Sequence, residues 1–338
     1  MSLRIDLGAI VQNWRQLAAM APNARPAAVV KADAYGLGAE PVVRALYEAG
    51  ARDFCVALAR EGRALRPVLP QDARINILSG HMPSEDLTGL VPVLNSAEQF
   101  FRDRAIRQGQ PFAIQLDSGM NRLGMEAGEW AALRDEALAG DPDFIMSHLA
   151  CADEPDHPAN AAQLAAFREM TEGCDVPRSL AATGGILLGP QYHFDMIRPG
   201  IGIYGGLPFA EAQPVVTLSL DVIQTRHVQA GEFCGYGGTW VADGPRRIAT
   251  VSAGYADGVL RALSSSGFSL YAGATACPVV GRVSMDLMTV DVSDLPEVPA
   301  TLDLICREQP IDRLADYAGT IGYEILTSLG NRYPRHYV

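Results

Sequence analysis

The chain has 338 residues, 48% of them hydrophobic and 20% charged, with a formal net charge of −12 and a pI near 4.9. This length predicts about two domains, each large enough to bury its own core. The acidic balance argues against nucleic acid and against an anionic membrane surface as partners.

Neither a secretory signal nor a membrane span is indicated by the sequence. The first residues lack a basic segment followed by an apolar one, and no window reaches the roughly 18 apolar residues of a transmembrane helix. We therefore expect a cytoplasmic protein. Its six cysteines are scattered and form no CxxC pair, which predicts reduced thiols rather than a disulfide framework.

Short apolar runs alternate with amphipathic stretches over the first two-thirds of the chain. Helix-like spacing of apolar residues occurs at 40–50 and at 159–173. Eight strand and helix units favour a closed (β/α)₈ TIM-type barrel over an open doubly wound sheet, and we assign residues 1–213 to it. The predicted strands are 27–31, 53–58, 74–79, 91–95, 112–117, 144–148, 179–183 and 196–204.

The pattern changes after residue 208, where strand-like runs are separated by glycine-rich turns. Helical patterns return only at 311–318 and 324–329. We predict a mainly β C-terminal domain over 214–338, packed closely on the barrel because no long linker intervenes. Its predicted strands are 215–228, 247–251, 268–271, 278–286 and 288–292.

Lys31 is the single lysine of a chain that contains 26 arginines. Arginine keeps its charge, whereas a desolvated lysine becomes a neutral amine that forms a Schiff base or abstracts a proton. Lys31 ends an apolar run and is followed by the glycine-rich segment ADAYGLG, a typical place for active-site groups. Chance survival of one lysine in an arginine-biased sequence is the alternative.

Chemistry in such a barrel gathers at the C-terminal ends of its strands. A lysine there supplies an imine, while a threonine hydroxyl and the backbone N–H groups of Gly200 and Ile201 hold a phosphate. An imine-forming lysine and phosphate-binding groups at one end of the barrel therefore suit one anionic cofactor. The strand-end residues are Lys31, Tyr35, Gln115, Arg122, His148, Thr183, Arg198, Gly200 and Ile201.

The run VVKADAYGLG resembles the pyridoxal-phosphate attachment segment of alanine racemases. The resemblance continues in the family's order from residue 29 to residue 335. It includes LDSGMNRLGM, SHLACADE, IRPGIGIYGG, GYGGTW, AGYADG, VGRVSMD and GYEILTSLGNRYPR.

The resemblance implies a barrel that binds pyridoxal 5'-phosphate (PLP) and a reaction that interconverts L-alanine and D-alanine. Lys31 is implied to bind PLP covalently and to act as one of two acid-base groups. Tyr255 corresponds to the second base, supplied by the partner subunit of a homodimer with shared sites. Burial beside Arg198 and Arg122 should depress the pKa of Lys31, and His148 with the arginines could stabilise a Tyr255 phenolate.

Arg198 corresponds to an arginine that faces the pyridine nitrogen and, with a pKa above roughly 12, leaves that nitrogen unprotonated. Arg122 corresponds to the arginine near the cofactor's phenolic oxygen and the substrate carboxylate. The remaining implied contacts are Tyr35, Thr183, Gly200, Ile201 and Tyr323 with the phosphate, Met285 and Asp286 with the substrate across the subunit boundary, and Asp153, Arg282 and Ile321 along the substrate access path.

Two positions depart from the family pattern. Many members carry a carbamylated lysine seven residues before the arginine, where this chain has Gln115, so an uncharged amide must orient Arg122. Ala182 and Thr183 replace the usual Asn-Ser, which keeps a hydroxyl donor but removes one polar contact.

Several alternatives stay open on the sequence alone. Tyr255 could be a turn residue, Arg198 could pair with Asp195, and a metal site can be drawn from His148, Cys151, Asp153 and His157, although no metal is expected. A broader serine and alanine racemase, a related PLP-barrel decarboxylase or dehydratase, and a non-catalytic PLP carrier are the competing functions. The sequence does not separate supply of D-alanine for peptidoglycan precursors from a catabolic role.

Overall fold

The computed structural model describes residues 1–338 and contains two large sheets. In chain order the first part comprises β1 (Ser2–Ile5), α1 (Leu7–Met20), β2 (Arg25–Pro26), β3 (Ala28–Val29), α2 (Lys31–Tyr35), α3 (Ala39–Glu48), β4 (Asp53–Val56), α4 (Ala59–Leu65), β5 (Arg74–Ile77), β6 (Val91–Leu94), α5 (Ala97–Ile106), β7 (Ala113–Gln115), α6 (Ala127–Ala139), β8 (Ile145–Met146), α7 (Pro158–Met170), β9 (Arg178–Ser179), α8 (Thr183–Leu187) and β10 (Met196–Ile197).

The second part is mainly β, with two helices near its end. It comprises β11 (Val216–Val228), β12 (Phe233–Cys234), β13 (Trp240–Val241), β14 (Arg246–Val251), β15 (Ser269–Ala272), β16 (Thr275–Val280), β17 (Met288–Asp291), β18 (Thr301–Ile305), α9 (Ile311–Ala318), α10 (Gly322–Ser328) and β19 (Arg335–Tyr337). Five short 3₁₀ helices occupy Pro190–Tyr192, Ile201–Tyr204, Tyr236–Gly238, Tyr255–Asp257 and Arg261–Leu263.

The predicted (β/α)₈ barrel is confirmed by the strand pairing. Strands β3 to β9 are parallel neighbours in sequential order. β10 pairs in parallel with β2, which runs almost directly into β3. The Arg198 N–H donates to the Ala181 carbonyl at 2.8 Å, which joins the β10 side to the β9 side and closes the ring.

Several predicted strands are shorter in the structure, for example 179–183, where β9 ends at Ser179 and Thr183 begins α8. Three further differences change the course of the chain. Residues 78–90, between β5 and β6, contain no helix. The strand predicted over 196–204 is wrong beyond Ile197, because Pro199 lacks an N–H and Ile201–Tyr204 turn into a 3₁₀ helix. The strand predicted over 278–286 ends at Val280, because Gly281 has a left-handed φ of 73° that turns the chain.

The second sheet includes a strand from the start of the chain. β1 lies between β11, with Ser2 opposite Ser219 in antiparallel register, and β19, with Leu3 opposite Arg335 in parallel register. Residues 2–5 fall within the segment 1–213 that the sequence analysis assigned to the barrel. One apolar core of 63 buried residues contains both Phe54 of β4 and Leu218 of β11, so the barrel and the second sheet pack as one body.

A buried charge cluster joins α5 to the loop before β6. The Asp103 carboxylate is inaccessible to solvent and accepts from Arg107 at 2.8 Å, from Arg104, and from His81 Nδ1 at 3.0 Å. Arg107 also donates to the Leu90 carbonyl at 2.9 Å. The cluster therefore fixes the helix-free third unit of the barrel to its neighbour.

Replacing Asp103 with asparagine is expected to lower the free energy of unfolding by about 3 kcal/mol, because it leaves the partly buried Arg104 and Arg107 without their shared counter-charge. Urea denaturation at neutral pH measures this loss. Asp135→Asn, on an exposed face of α6, is the matched control and should change stability by less than about 0.5 kcal/mol. Equal urea midpoints for Asp103→Asn and Asp135→Asn would contradict a structural role for the cluster.

Candidate active site

A cavity of about 1030 Å³ lies at the C-terminal ends of the barrel strands, under α9 and α10. This is the end at which barrel enzymes place their chemistry. The cavity brings together most of the residues singled out in the sequence: Lys31, Tyr35, Gln115, Arg122, His148, Asp153, Thr183, Arg198, Gly200, Ile201, Ile321 and Tyr323.

Lys31 is followed by a left-handed turn that the sequence did not predict. Ala32, Asp33, Ala34 and Tyr35 all have φ between 52° and 56°. Left-handed helical backbone costs L-residues roughly 1–2 kcal/mol each, so the four residues store several kcal/mol of strain. Surrounding contacts must hold such a turn in place.

Glu61 provides one of those contacts. One carboxylate oxygen accepts from the Ala32 N–H at 2.8 Å, and the other accepts from the Ala57 and Leu58 N–H groups at 2.7 and 3.1 Å. A single side chain thus joins the residue after Lys31 to the end of β4. The sequence analysis missed Glu61, since nothing in its local pattern distinguishes it from a first-turn helix glutamate.

The surroundings of Lys31 lower the pKa of its amine and so favour the neutral form. Burial lowers the pKa of Lys31 below its ordinary 10.5, and the positive charge of Arg122 lowers it further. Cys55 and Glu61 raise the pKa by less, and Arg198 lowers it by the smallest amount. A neutral amine is the form that attacks a carbonyl or takes a proton. Cys55, a second residue that sequence reasoning missed, is fully buried in the cavity wall, and burial raises the pKa of its thiol to about 12.

Arg198 is buried at the cavity floor, and both of its terminal nitrogens are hydrogen-bonded within the protein. Nη1 donates to Ser179 Oγ at 2.5 Å, and Nη2 donates to the Ser147 carbonyl at 2.6 Å and the Leu180 carbonyl at 3.3 Å. Burial lowers the pKa of Arg198 to about 10, which leaves it charged at neutral pH. Asp195 pairs with Arg178 instead, so the ordinary Arg198–Asp195 ion pair does not form.

His148 is neutral in this environment. Burial, Arg198, Arg122 and Lys31 lower its pKa to about 3. Its Nδ1 lies 3.5 Å from Arg198 Nη2 and accepts from it, which places the imidazole proton on Nε2. His148 can therefore donate a hydrogen bond into the cavity but supplies no positive charge of its own to a phenolate.

The proposed phosphate residues meet on one side of the cavity. Thr183 Oγ1 accepts from the Gly200 N–H at 3.0 Å and the Gly202 N–H at 3.3 Å. A Cβ on Gly200 would lie 2.7 Å from Tyr35 Oη, so only glycine allows this approach. The Tyr35 and Tyr323 rings are 6.0 Å apart, and burial raises the pKa of Tyr323 to about 12, which keeps its hydroxyl protonated.

Gln115 reaches the backbone beside Arg122. Its side-chain amide donates to the Leu123 carbonyl at 3.0 Å, and Gln115 itself is 5% exposed. Arg122 is exposed at the cavity and its guanidinium forms no ion pair within the chain. The amide therefore fixes the loop that carries Arg122 rather than the guanidinium itself.

Tyr255, Met285 and Asp286 form a separate group that does not line the cavity. The Tyr255 N–H donates to the Ser284 carbonyl and the Ala256 N–H to the Met285 carbonyl, both at 3.0 Å. The side chains of Tyr255 and Met285 are 43% and 53% exposed. Arg282 lines a different cavity, of about 720 Å³, in the second sheet.

Comparison with known proteins shows the family to which the chain belongs. The family model described as the alanine racemase N-terminal domain matches residues 5–208, and the one described as the alanine racemase C-terminal domain matches residues 215–337. The chain belongs to the alanine racemase family.

Relatives in this family cover nearly the whole chain. An alanine racemase from Dinoroseobacter shibae is 61% identical over 99% of this chain and 97% of its own length. A catabolic alanine racemase from Agrobacterium fabrum is 47% identical over 99% and 92%. The crystal structure of the Bartonella henselae alanine racemase, described with covalently bound pyridoxal phosphate, superposes with a TM-score of 0.94 at 36% identity, covering 100% of this chain and 99% of that one.

Two questions raised by the sequence remain: whether the His148–His157 segment forms a metal site, and whether any helix could span a membrane. His157 Nδ1 accepts from the Ala159 N–H at 3.1 Å and so caps α7. No three His, Cys, Asp or Glu side chains lie together as a metal-binding group. None of the helices has the length and apolar character needed to cross a membrane.

Proposed function

We propose that this chain is a PLP-dependent alanine racemase in which Lys31 and the Tyr255 of a second copy act on opposite faces of the substrate α-carbon. The observation that carries the proposal is the position of the chain's single lysine. Its amine, with a lowered pKa, lines the cavity that also contains Arg122, neutral His148 and buried Arg198.

The cavity residues fit PLP. Thr183, Gly200 and Tyr35 offer a glycine-dependent, hydroxyl-rich cradle for a phosphate. Arg198 uses Nη1 and Nη2 for hydrogen bonds within the protein, and its Nε would be available to donate to the ring nitrogen of PLP. When bound, PLP supplies an electron sink that acidifies the α-proton of an attached amino acid.

Lys31 is the base on one face. Its lowered pKa increases the fraction of Lys31 present as the neutral amine, the form that can take the α-proton from the substrate. Arg198 stays charged at neutral pH, so it would donate a hydrogen bond to the ring nitrogen of PLP without protonating it. A weak electron sink of this kind favours racemisation over transamination.

The second base comes from a second copy of the chain in this proposal. Tyr255 lies outside the Lys31 cavity, and several large apolar side chains of the same mainly β domain are exposed. Exposed apolar surface of this kind is typical of an interface. The side chains are Phe233, Tyr236, Met285 and Leu287, exposed by 65%, 73%, 53% and 41%. A homodimer with two shared sites follows.

Turnover of L-alanine by the purified, PLP-supplemented protein tests the proposal. Chiral chromatography should show conversion to an equimolar mixture of the two enantiomers. A colourless protein that takes up no PLP and leaves L-alanine unchanged would contradict the proposal. PLP uptake without turnover would indicate a carrier instead.

The same assay, run with each L-amino acid, measures substrate breadth. An alanine pocket rejects an added hydroxyl only by about a hundredfold, so L-serine is the first competitor to compare. A cytoplasmic location and the supply of D-alanine for peptidoglycan precursors are further parts of this proposal.

Replacing Gln115 with methionine is expected to raise the KM for alanine roughly fivefold or more, because the Leu123 carbonyl loses its donor and the Arg122 loop loosens. Steady-state kinetics measure the change. The matched control is Gln191→Met, because Gln191 also donates to a backbone carbonyl, that of Leu188, but on the exposed surface. An unchanged KM in the Gln115 variant would show that Arg122 is oriented by other contacts.

A further inference from the structure

The left-handed turn after Lys31 is held from outside the barrel by β19. Arg335 donates to the Gly36 carbonyl from Nη2 at 2.9 Å and from Nε at 3.3 Å. The Tyr337 hydroxyl donates to the Leu37 carbonyl at 3.0 Å. No backbone N–H donates to either carbonyl, so these two side chains are their partners within the chain.

β19 is itself firmly anchored in the second sheet. It pairs in parallel with β1, and the chain on either side is held by hydrogen bonds from the Leu3 N–H to the Pro334 carbonyl at 3.0 Å and from the Leu7 N–H to the Val338 carbonyl at 2.9 Å. The donors of Arg335 and Tyr337 therefore project from a rigid support.

The segment from Gly36 to Gly38 packs tightly against β19 and α10. A Cβ on Gly38 would lie 2.0 Å from Tyr337 Oη, and one on Gly36 would lie 2.6 Å from the Leu326 carbonyl of α10. Gly36 and Leu37 directly follow the four left-handed residues. Fixing their carbonyls fixes the direction in which the turn leaves Lys31.

We propose that Arg335 and Tyr337 are positioning residues that keep Lys31 and Tyr35 in their active arrangement by holding the Gly36 and Leu37 carbonyls. The contribution to turnover rests on the function proposed above, whereas the placement of the Lys31 amine does not. Without these donors the strained turn relaxes, and Lys31 moves toward solvent.

Reaction of Lys31 with an amine-acylating reagent tests the placement, since the chain has one lysine and the N-terminal amine lies on a different peptide. The full-length protein, freed of any cofactor, is labelled over a range of pH, and the Lys31 peptide is quantified by mass spectrometry. We expect a midpoint below 10.5 in the native protein. Arg335→Met and Tyr337→Phe should each raise it by roughly half a pH unit or more, because a displaced amine regains water.

Turnover by the PLP-loaded variants supplies the second measurement. We expect kcat to fall roughly tenfold or more with a smaller change in KM, since a misplaced base loses rate more than binding. Arg335→Lys, which keeps one donor for Gly36, should partly restore both the labelling midpoint and kcat.

Two matched controls separate positioning from general stability. Arg66→Met removes an arginine that donates to the Ala73 and Leu69 carbonyls, and Tyr47→Phe removes a hydroxyl bonded to Asp72. Both should leave the Lys31 midpoint unchanged. If the Arg335 variant fails to fold, Tyr337→Phe, which removes a single hydroxyl, decides the question.

The proposal would be overturned if Arg335→Met and Tyr337→Phe kept the native labelling midpoint of Lys31 and differed from the native protein only in a lower unfolding temperature. Failure of the proposed function gives a different result. A protein without racemase activity would still show the shift of the midpoint if β19 positions Lys31.

Discussion

Replacing Lys31 with alanine is expected to abolish both racemisation and covalent retention of PLP. The chain has no other lysine to substitute for it. Loss of the attachment point and of one proton-transfer group together should reduce kcat by about 10⁴-fold or more. Chiral chromatography measures the rate, and mass spectrometry after borohydride reduction measures the adduct.

Lys31→Arg is the matched control for this variant. It keeps a positive charge at the same position but cannot provide a neutral amine near pH 7. We expect it to be as inactive as the alanine variant while it retains native thermal stability. Activity in the arginine variant would show that charge alone is required and would remove the chemical role assigned to Lys31.

Replacing Tyr255 with phenylalanine is expected to slow racemisation by roughly 10²- to 10⁴-fold, because one face of the substrate loses its proton-transfer group. Exchange of the α-proton with deuterated solvent should persist for one enantiomer, which Lys31 still serves, and fail for the other. The free energy of unfolding should change by less than about 0.5 kcal/mol, since the Tyr255 side chain is 43% exposed. Tyr47→Phe, which removes a phenol on α3 that is bonded to Asp72 away from the cavity, is the control and should leave racemisation unchanged.

Mixing two inactive variants tests whether the site is shared between chains. In a heterodimer of Lys31→Ala and Tyr255→Phe chains, one of the two sites contains both native groups. Random exchange of subunits should therefore restore about a quarter of native activity. If Lys31 and Tyr255 of the same chain act together, no native site forms and the mixture stays inactive.

The sequence predicted the barrel and the residues of its cavity because strand ends and motif order are local signals. Lys31, Thr183 and Arg198 each follow or end a short apolar run, and parallel strands bring such ends to one face. The second sheet was predicted as mainly β for the same local reason. The inclusion of β1 in it depends on contacts more than 200 residues apart in sequence, such as Ser2 with Ser219, which no local pattern reports.

The parts of the site that escaped sequence reasoning depend on conformation or on distant partners. The four left-handed residues after Lys31 include two alanines, which give no warning of positive φ. Glu61 and Arg335 act by hydrogen bonds to backbone atoms, which carry no side-chain identity for a motif to record. The neutrality of His148 follows from burial among cations, which is known only once those side chains are placed.

The pairing of β1 with β11 and β19 also has a consequence for biosynthesis. Residues 2–5 are made before their two neighbouring strands, which follow more than 200 residues later in the chain. Contacts of such long sequence separation form late and slow the folding of a chain. The apolar side chains of Leu3 and Ile5, fully buried in the finished sheet, remain uncovered on the nascent chain until β11 and β19 have been made. We therefore expect chaperone binding during translation to concentrate on this first strand.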